Sequence, residues 1–439
     1  MKKHSIYLLL LLSLMFMNVS AQQVKIKFHE FDLDNGLHVI LHEDHTSPNV
    51  IVSVMYHVGS KNENPNLTGF AHFFEHLMFE GSENIDRGEF SKYVENAGGT
   101  LNANTTNDRT FYYEFLPSNY LELGLWLESE RMLHAKVDSV GIQTQKKVVI
   151  EEKKMRYDNA PYGTILSEAL AHAYTKHPYR WAPIGSEEHI MNAKDSEFKR
   201  FYEDFYVPNN AVLVIAGDIK IKKTKKLVKK YFKDIPRGTK EIYRPTIKEP
   251  VKYKEVRDTV YDDIQLPAIV QAYHIPAMGT EDFYAVQMLS NLLSSGESSR
   301  FQTKLVDEKQ LALQVMAVPL PFEDPGLALT FALPNMGVDL QVLEGEMEKE
   351  LDKVKTELIS DKDFQKLRNQ FESQVIRSNA TIEARANNLA DNYTYFKNTD
   401  LINQELDKYM SVTKEDIKRV ANKYFRKDNR VVLYYLPKK

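Results

Sequence analysis

The chain has 439 residues, 43% hydrophobic and 27% charged, a balance that excludes fibrous and disordered classes and leaves length for two domains with separate cores. A formal charge of −4 gives no electrostatic case for nucleic acid as a partner. With no cysteine there is no disulfide, no thiolate metal ligand and no lipid-modified cysteine anchor.

The chain begins "MKKHSIYLLLLLSLMFMNVSAQQ". Lys2 and Lys3 form a basic start, Ile6 to Met17 an apolar run, and Val19-Ser20-Ala21 a small-residue cleavage site. The rival reading is a membrane anchor, for which the apolar run is too short. Residues 1–21 therefore read as a secretory signal peptide. The mature chain is expected to be exported, periplasmic or secreted, with no membrane span after cleavage.

Next comes a hairpin, "FDLDNGLHVILHED", turned at Asn35-Gly36, and a strand, "NVIVSVMYHVGS". The run "TGFAHFFEHLMFEGS" then reads as a helix, with Thr68 as its N-terminal cap and Gly81 as its stop. "GGTLNANT" and "TFYYEFLP" alternate like two strands, and helical patterns run from about Leu121 to Arg156. A buried strand, "NAVLVIAGDI", and a Lys-rich amphipathic helix end the first half. Residues 237–258, polar and proline-bearing, read as a linker.

The second half repeats this order. "LPAIVQAYHIPA" echoes the strand before the HFFEH helix, "FYAVQMLSNLLSSG" the helix itself, "LALTFALP" echoes "TFYYEFLP", and "NRVVLYYLP" echoes "NAVLVIAGD". Pro334 follows Pro117 by 217 positions (334 − 117). A lag near half the chain, held over several elements in order, points to internal duplication. The fold expected is α+β: two homologous α+β domains in tandem, residues 22–236 and 259–439, each with helices packed on one face of a mainly antiparallel sheet.

The chemistry concentrates in "HFFEH", where His72 and His76 lie at i and i+4 on one face of a greasy helix, with Glu75 beside them. Buried polar groups must find partners. Two hydrogen-bonded core histidines would be the plain explanation, but three adjacent ionisable groups would then need several separate partners. One zinc ion with a water satisfies them all. Catalytic zinc takes three protein ligands, leaves a position for water and lowers that water's pKa toward about 7, and a nearby carboxylate takes the proton. Glu75 suits that last role. Opposite these three residues the second half carries Val286, Leu289 and Ser290, so only the first half offers such a site.

HFFEH resembles the inverted zincin signature of the pitrilysin/insulinase family of zinc metallopeptidases. The resemblance implies a third ligand on a later helix reading V-V-x-x-E. "KKVVIEEKKMRYDNAPYG" offers Glu151 and Glu152, two ordinary helix carboxylates by themselves, and the family register selects Glu152. It implies one Zn2+ per chain held by His72, His76 and Glu152, with Glu75 as catalytic base. "GGTLNANT" is similar to the family's edge strand, on which the substrate peptide adds as an extra strand; Asn102 and Ala103 fall at the substrate-facing positions. Residue by residue the same stretch also reads as a Gly-Gly turn before an ordinary strand.

Two departures stand out. Gln145 replaces a second glutamate that assists catalysis in better-known members, as in many bacterial relatives. On the helix that should present an arginine and a tyrosine from the non-zinc half, this chain has Val306 and Leu313, which donate no hydrogen bond to an oxyanion. Full-length members join four such domains and this chain has two. The resemblance therefore implies a paralogous partner subunit carrying the Arg/Tyr pair, or a homodimer. The expected function is a zinc metalloendopeptidase subunit acting on peptides or unfolded segments. The alternative is a non-catalytic peptide-binding or scaffold subunit that retains a zinc site. A zinc hydrolase of some other substrate fits less well with a strand suited to extended backbone.

Overall fold

The computed structural model describes residues 25–438; the signal segment read at 1–21 lies outside them. The first half opens with the expected hairpin, β1 (His29–Asp32) and β2 (His38–Glu43), paired antiparallel. Its turn needs the left-handed φ of +87° at Gly36. Asn35 fixes it from outside, donating its amide to the carbonyls of Phe232 and Ile235 at 2.8 and 2.9 Å. Strands β3 (Asn49–Tyr56), β4 (Thr100–Thr105), β5 (Thr110–Pro117) and β6 (Ala211–Gly217) complete a six-stranded sheet in the order β1-β2-β6-β3-β5-β4.

The second half holds β7 (Val256–Asp262), β8 (Ala268–His274), β9 (Ala312–Leu320), β10 (Leu327–Pro334) and β11 (Arg430–Pro437), ordered β7-β11-β8-β10-β9. This is the order of the first sheet without β1. Each sheet has one parallel pair, β2 with β6 and β7 with β11, and is otherwise antiparallel. The echoed segments occupy equivalent strands, as a duplication requires. Strand β7 starts inside the stretch read as linker, three residues before position 259.

The inner face of the first sheet carries its helices: α1 (Phe70–Leu77), α2 (Phe90–Asn96), α3 (Leu121–His134), α4 (Ser139–Lys153) and, after α5 (Ile165–Ala173) and the short α6 (Glu187–Asn192), α7 (Asp195–Phe205) and α8 (Ile221–Phe232). The second half adds α9 (Glu281–Ser294), α10 (Leu340–Thr356), α11 (Asp361–Arg377), α12 (Ile382–Phe396), α13 (Leu401–Met410) and α14 (Lys414–Tyr424).

One face per sheet does not account for all of the packing, because the halves exchange helices. Ile40, Ile51, Met55, Phe111, Val212 and Val214 on the far face of the first sheet are covered by Ala386, Leu389 and Ala390 of α12. Reciprocally, α5 lies on β8 and β11 of the second sheet. The two exchanged helices start at positions 165 and 382, again 217 apart (382 − 165). Each sheet thus has its second face covered by a helix of the other half, which removes an apolar face from water at roughly 25 cal/mol per Å².

A buried polar cluster adds to this junction. Lys61, almost fully buried, bonds Asp108 at 2.8 Å in its own half, and Glu323 at 2.5 Å and Asp324 at 3.4 Å on the β9–β10 turn. His57 Nε2 lies 2.9 Å from Glu323, and the Tyr179 hydroxyl donates to Asp108 at 2.6 Å. Across the same junction, Arg109 faces Asp391 of α12 at 3.5 Å.

Candidate metal centre

Helix α1 is held on its apolar sides by aromatic packing. Phe70 and Phe73 each lie 4.5 Å from the Phe198 ring, Phe74 lies 5.4 Å from Phe201, and the Tyr112 hydroxyl donates to the Phe74 carbonyl at 2.9 Å. His72, Glu75 and His76 remain half-buried on the one side not taken by core. Thr68 does not cap this helix. Its hydroxyl lies 2.9 Å from His189 Nδ1 and accepts from the Ser186 amide, while Gly69, with φ +96°, stands at the cap position. The last turn closes at Leu77, and Gly81 bends the chain beyond it with φ +117°.

Helix α4 brings the third group. Asp138 caps it by accepting from the Gly141 amide at 2.8 Å, and Lys146 pins it to the Met191 and Ala193 carbonyls at 3.0 and 2.8 Å. Glu152 Oε2 lies 3.0 Å from His76 Nε2 and 3.6 Å from His72 Nε2. Its other oxygen takes Arg156 Nη1 at 2.8 Å. Glu151 points to solvent and pairs with Lys154 at 3.4 Å. A wide turn follows directly, Lys154–Asp158, closed by the Asn159 amide on the Lys154 carbonyl; such turns recur beside functional residues.

One donor atom from each of His72, His76 and Glu152 lies within 4.8 Å of the others. Ligands about 2.0–2.1 Å from a tetrahedral zinc would be about 3.4 Å apart, and the two measured contacts, 3.0 and 3.6 Å, bracket that spacing. The buried Glu152 Oε2 accepts no hydrogen bond, leaving a lone pair free. The donor set, two imidazole nitrogens and a carboxylate oxygen, suits zinc.

Protonation favours the same role. Burial and the neighbouring His76 bring His72 down to about 4, so its ring is neutral at neutral pH. His76, 3.0 Å away, together with the charges of His72 and Arg156, holds the Glu152 carboxyl below its ordinary value despite burial. Burial raises Glu75 instead, opposed by Thr105, His76 and Arg109. A carboxyl poised upward beside two imidazoles is suited to accepting a proton.

The GGTLNANT stretch forms β4, the free edge of the first sheet, beside α1. Ala103 pairs with Tyr112 and is buried; Asn102 is exposed and its side-chain oxygen accepts the Ala103 amide at 2.8 Å. That amide is therefore not used in the ladder and faces the open edge. Gln145 sits two turns before Glu152 and donates to Glu80 Oε1 at 2.6 Å, with Arg87 on the other Glu80 oxygen. Val306 lies in a helical turn, Gln302–Glu308, but Leu313 lies on strand β9, half-exposed, and not on the helix expected for it.

Two participants escaped the sequence reading. Arg156 stood at i+4 from Glu152, a readable helix-pair spacing. Glu63 gave no such signal. Its buried carboxylate accepts from the Gly69 amide at 2.9 Å, the Ala71 amide at 2.8 Å and Trp181 Nε1 at 3.0 Å, across six to more than a hundred positions.

Residues 38–182 match the family model described as "Insulinase (Peptidase family M16)", and residues 194–371 the one described as "Peptidase M16 inactive domain". "Zinc protease PqqE" of Helicobacter pylori is 32% identical over 424 residues, covering 96% of this chain and 95% of that protein. A crystal structure of a protease from Helicobacter pylori superposes with TM-score 0.89 at 30% identity, covering 94% of this chain and all of that one. The periplasmic protease PqqL from Escherichia coli shares the fold at TM-score 0.78 and 18% identity, with 93% of this chain matching 47% of that longer one. With the duplicated sheets, the convergent histidines and carboxylate, and a relative alike over nearly its whole length, the chain belongs to the insulinase family, peptidase family M16.

Proposed function

We propose that this chain is an exported zinc metalloendopeptidase subunit that hydrolyses peptides or unfolded polypeptide segments. The observation that carries the reading is the convergence of His72, His76 and Glu152 donor atoms within 4.8 Å, with Glu75 on the same helix. His72, His76 and Glu152 would hold one zinc ion, which when bound supplies a Lewis acid that acidifies water and polarises a carbonyl. Glu75 takes the proton from the attacking water and passes it to the leaving amine. The β4 edge receives substrate backbone as an added strand, the Ala103 amide exchanging its Asn102 partner for a substrate carbonyl. Recognition through main chain suits extended substrates of varied sequence.

Val306 and the half-exposed Leu313 favour a second reading. Neither can hold an oxyanion, so a partner subunit would supply those donors, and without one the chain would be a peptide-binding subunit that keeps its metal. Export rests on the N-terminal sequence pattern; among the described residues no helix is long and apolar enough to cross a membrane. The test measures zinc stoichiometry beside hydrolysis of a quenched peptide, for the wild type and Glu75→Gln. One zinc per chain in both, with turnover lost in Glu75→Gln, is expected. Undiminished turnover in that variant removes Glu75 from the mechanism, and zinc binding with no peptidase activity under any pairing leaves the binding-subunit reading.

A further inference from the structure

Helix α1 begins at a residue that cannot cap it. The amides of its first turn have no intrahelical acceptor, Gly69 has no side chain, and Thr68 is engaged with His189 and Ser186. The acceptor comes from six positions upstream. Glu63 is 2% exposed, and its two oxygens take separate amides, Oε2 that of Gly69 and Oε1 that of Ala71. The Ala71 amide immediately precedes His72. A two-point contact of this kind fixes not only the end of a helix but its rotation about its own axis, and rotation decides where the His72 ring points.

Glu63 is itself held. Trp181 Nε1 donates to its Oε2 at 3.0 Å and to the Ser60 carbonyl at 2.9 Å, tying the carboxylate to the loop before α6. That loop presses on the same helix start: a Cβ on Gly185 would lie 2.3 Å from both the Cα and N of Gly69. Side-chain carboxylate, indole and glycine–glycine contact thus converge on one helical turn. This costs burial of an acid, which raises its carboxyl, opposed by the two amides and the indole that donate to it. A local Ser or Asp cap would satisfy the same amides at the surface.

We propose that Glu63 is a positioning residue of the metal centre, gripping the Gly69 and Ala71 amides so that His72 and His76 present their nitrogens toward Glu152, with Trp181 holding Glu63 in place. The role rests on the zinc peptidase reading above. It acts through the helix and touches neither metal nor substrate.

The test compares Glu63→Gln, Trp181→Phe and Val228→Ala with the wild type, in the full mature chain. Val228 is fully buried in α8, away from this cradle, and serves as a destabilised control. Zinc affinity is read by competition with a chromophoric chelator, thermal stability by circular dichroism, and kcat and KM separately on zinc-saturated protein. Groups that orient metal ligands typically change affinity by about 10–100-fold when altered. Glu63→Gln should weaken zinc by at least about tenfold and lower kcat with KM little changed, Trp181→Phe should do the same to a smaller degree, and Val228→Ala should lower stability alone. Wild-type zinc affinity and kcat in folded Glu63→Gln overturns the proposal. If Glu63→Gln does not fold, Trp181→Phe decides: unchanged zinc affinity there overturns it and weakened affinity supports it. A wild-type chain that binds zinc no better than His72→Ala overturns the zinc reading itself, and the positioning role falls with it.

Discussion

Glu323→Gln tests whether the two halves stand or unfold together. The residue lies on the β9–β10 turn of the second half and projects into the first, 2.5 Å from Lys61 Nζ and 2.9 Å from His57 Nε2. Burial alone would raise its carboxyl, but hydrogen bonding and charge from His57 and Lys61 overcome this and hold it at about 2, against an ordinary 4.5. At roughly 1.4 kcal/mol per pH unit, that depression is worth about 3 kcal/mol of folding stability at neutral pH. Lys61 keeps Asp108 at 2.8 Å in the variant, so the buried lysine is not abandoned and about 3 kcal/mol is the upper end. Unfolding entropy of about 2.1 cal/mol/K per residue gives about 0.9 kcal/mol/K for roughly 420 residues melting as one, hence a Tm drop of about 3–4 °C. If only one half melted, the same loss would move its transition by about 7 °C and split the endotherm. The exchanged helices favour the single shift. Because the folded value is depressed, this stability is fully present above about pH 4.5 and disappears as pH falls toward 2. The wild-type and variant curves should therefore converge over that window. Scanning calorimetry between pH 3 and 7 decides: equal Tm at pH 7, or a gap that does not narrow in acid, would refute the reasoning.

Other outcomes follow from the same contacts. Glu152→Gln should lose zinc while Glu151→Gln keeps one ion per chain, measured by elemental analysis after dialysis; the reverse would reassign the ligand. Leu389→Ala, which opens a hole between α12 and the first sheet, should cost about 2–5 kcal/mol in urea unfolding although it lies in the other half of the sequence. Gly185→Ala meets Gly69 backbone at 2.3 Å with φ +66°, and should destabilise by about 2 kcal/mol or more. Adding a half-size paralogue that carries the complementary arginine and tyrosine should raise peptide turnover by about a hundredfold or more, the usual worth of an oxyanion donor; no gain on mixing removes the need for that partner.

Much of this protein was legible in one dimension because the signals are local. Helical spacing put His72, Glu75 and His76 on one face, Asn35-Gly36 made the hairpin turn, and the 217-residue lag between Pro117 and Pro334 exposed the duplication that the matching strand orders bear out. Glu152 needed a family register, since nothing in its neighbourhood separates it from Glu151. Folding decided the rest. Thr68 reads as a cap, yet the amides it should have served are taken by Glu63, which no local rule connects to them. The family register puts Leu313 on a helix, yet it lies on β9 at the irregularity between Ala312 and Gln314 in the pairing with β10. Nothing in the sequence says which sheet α5 or α12 covers. An apolar stripe says only that it must be buried, and the partner is chosen by shape and by which surfaces the completed chain leaves open.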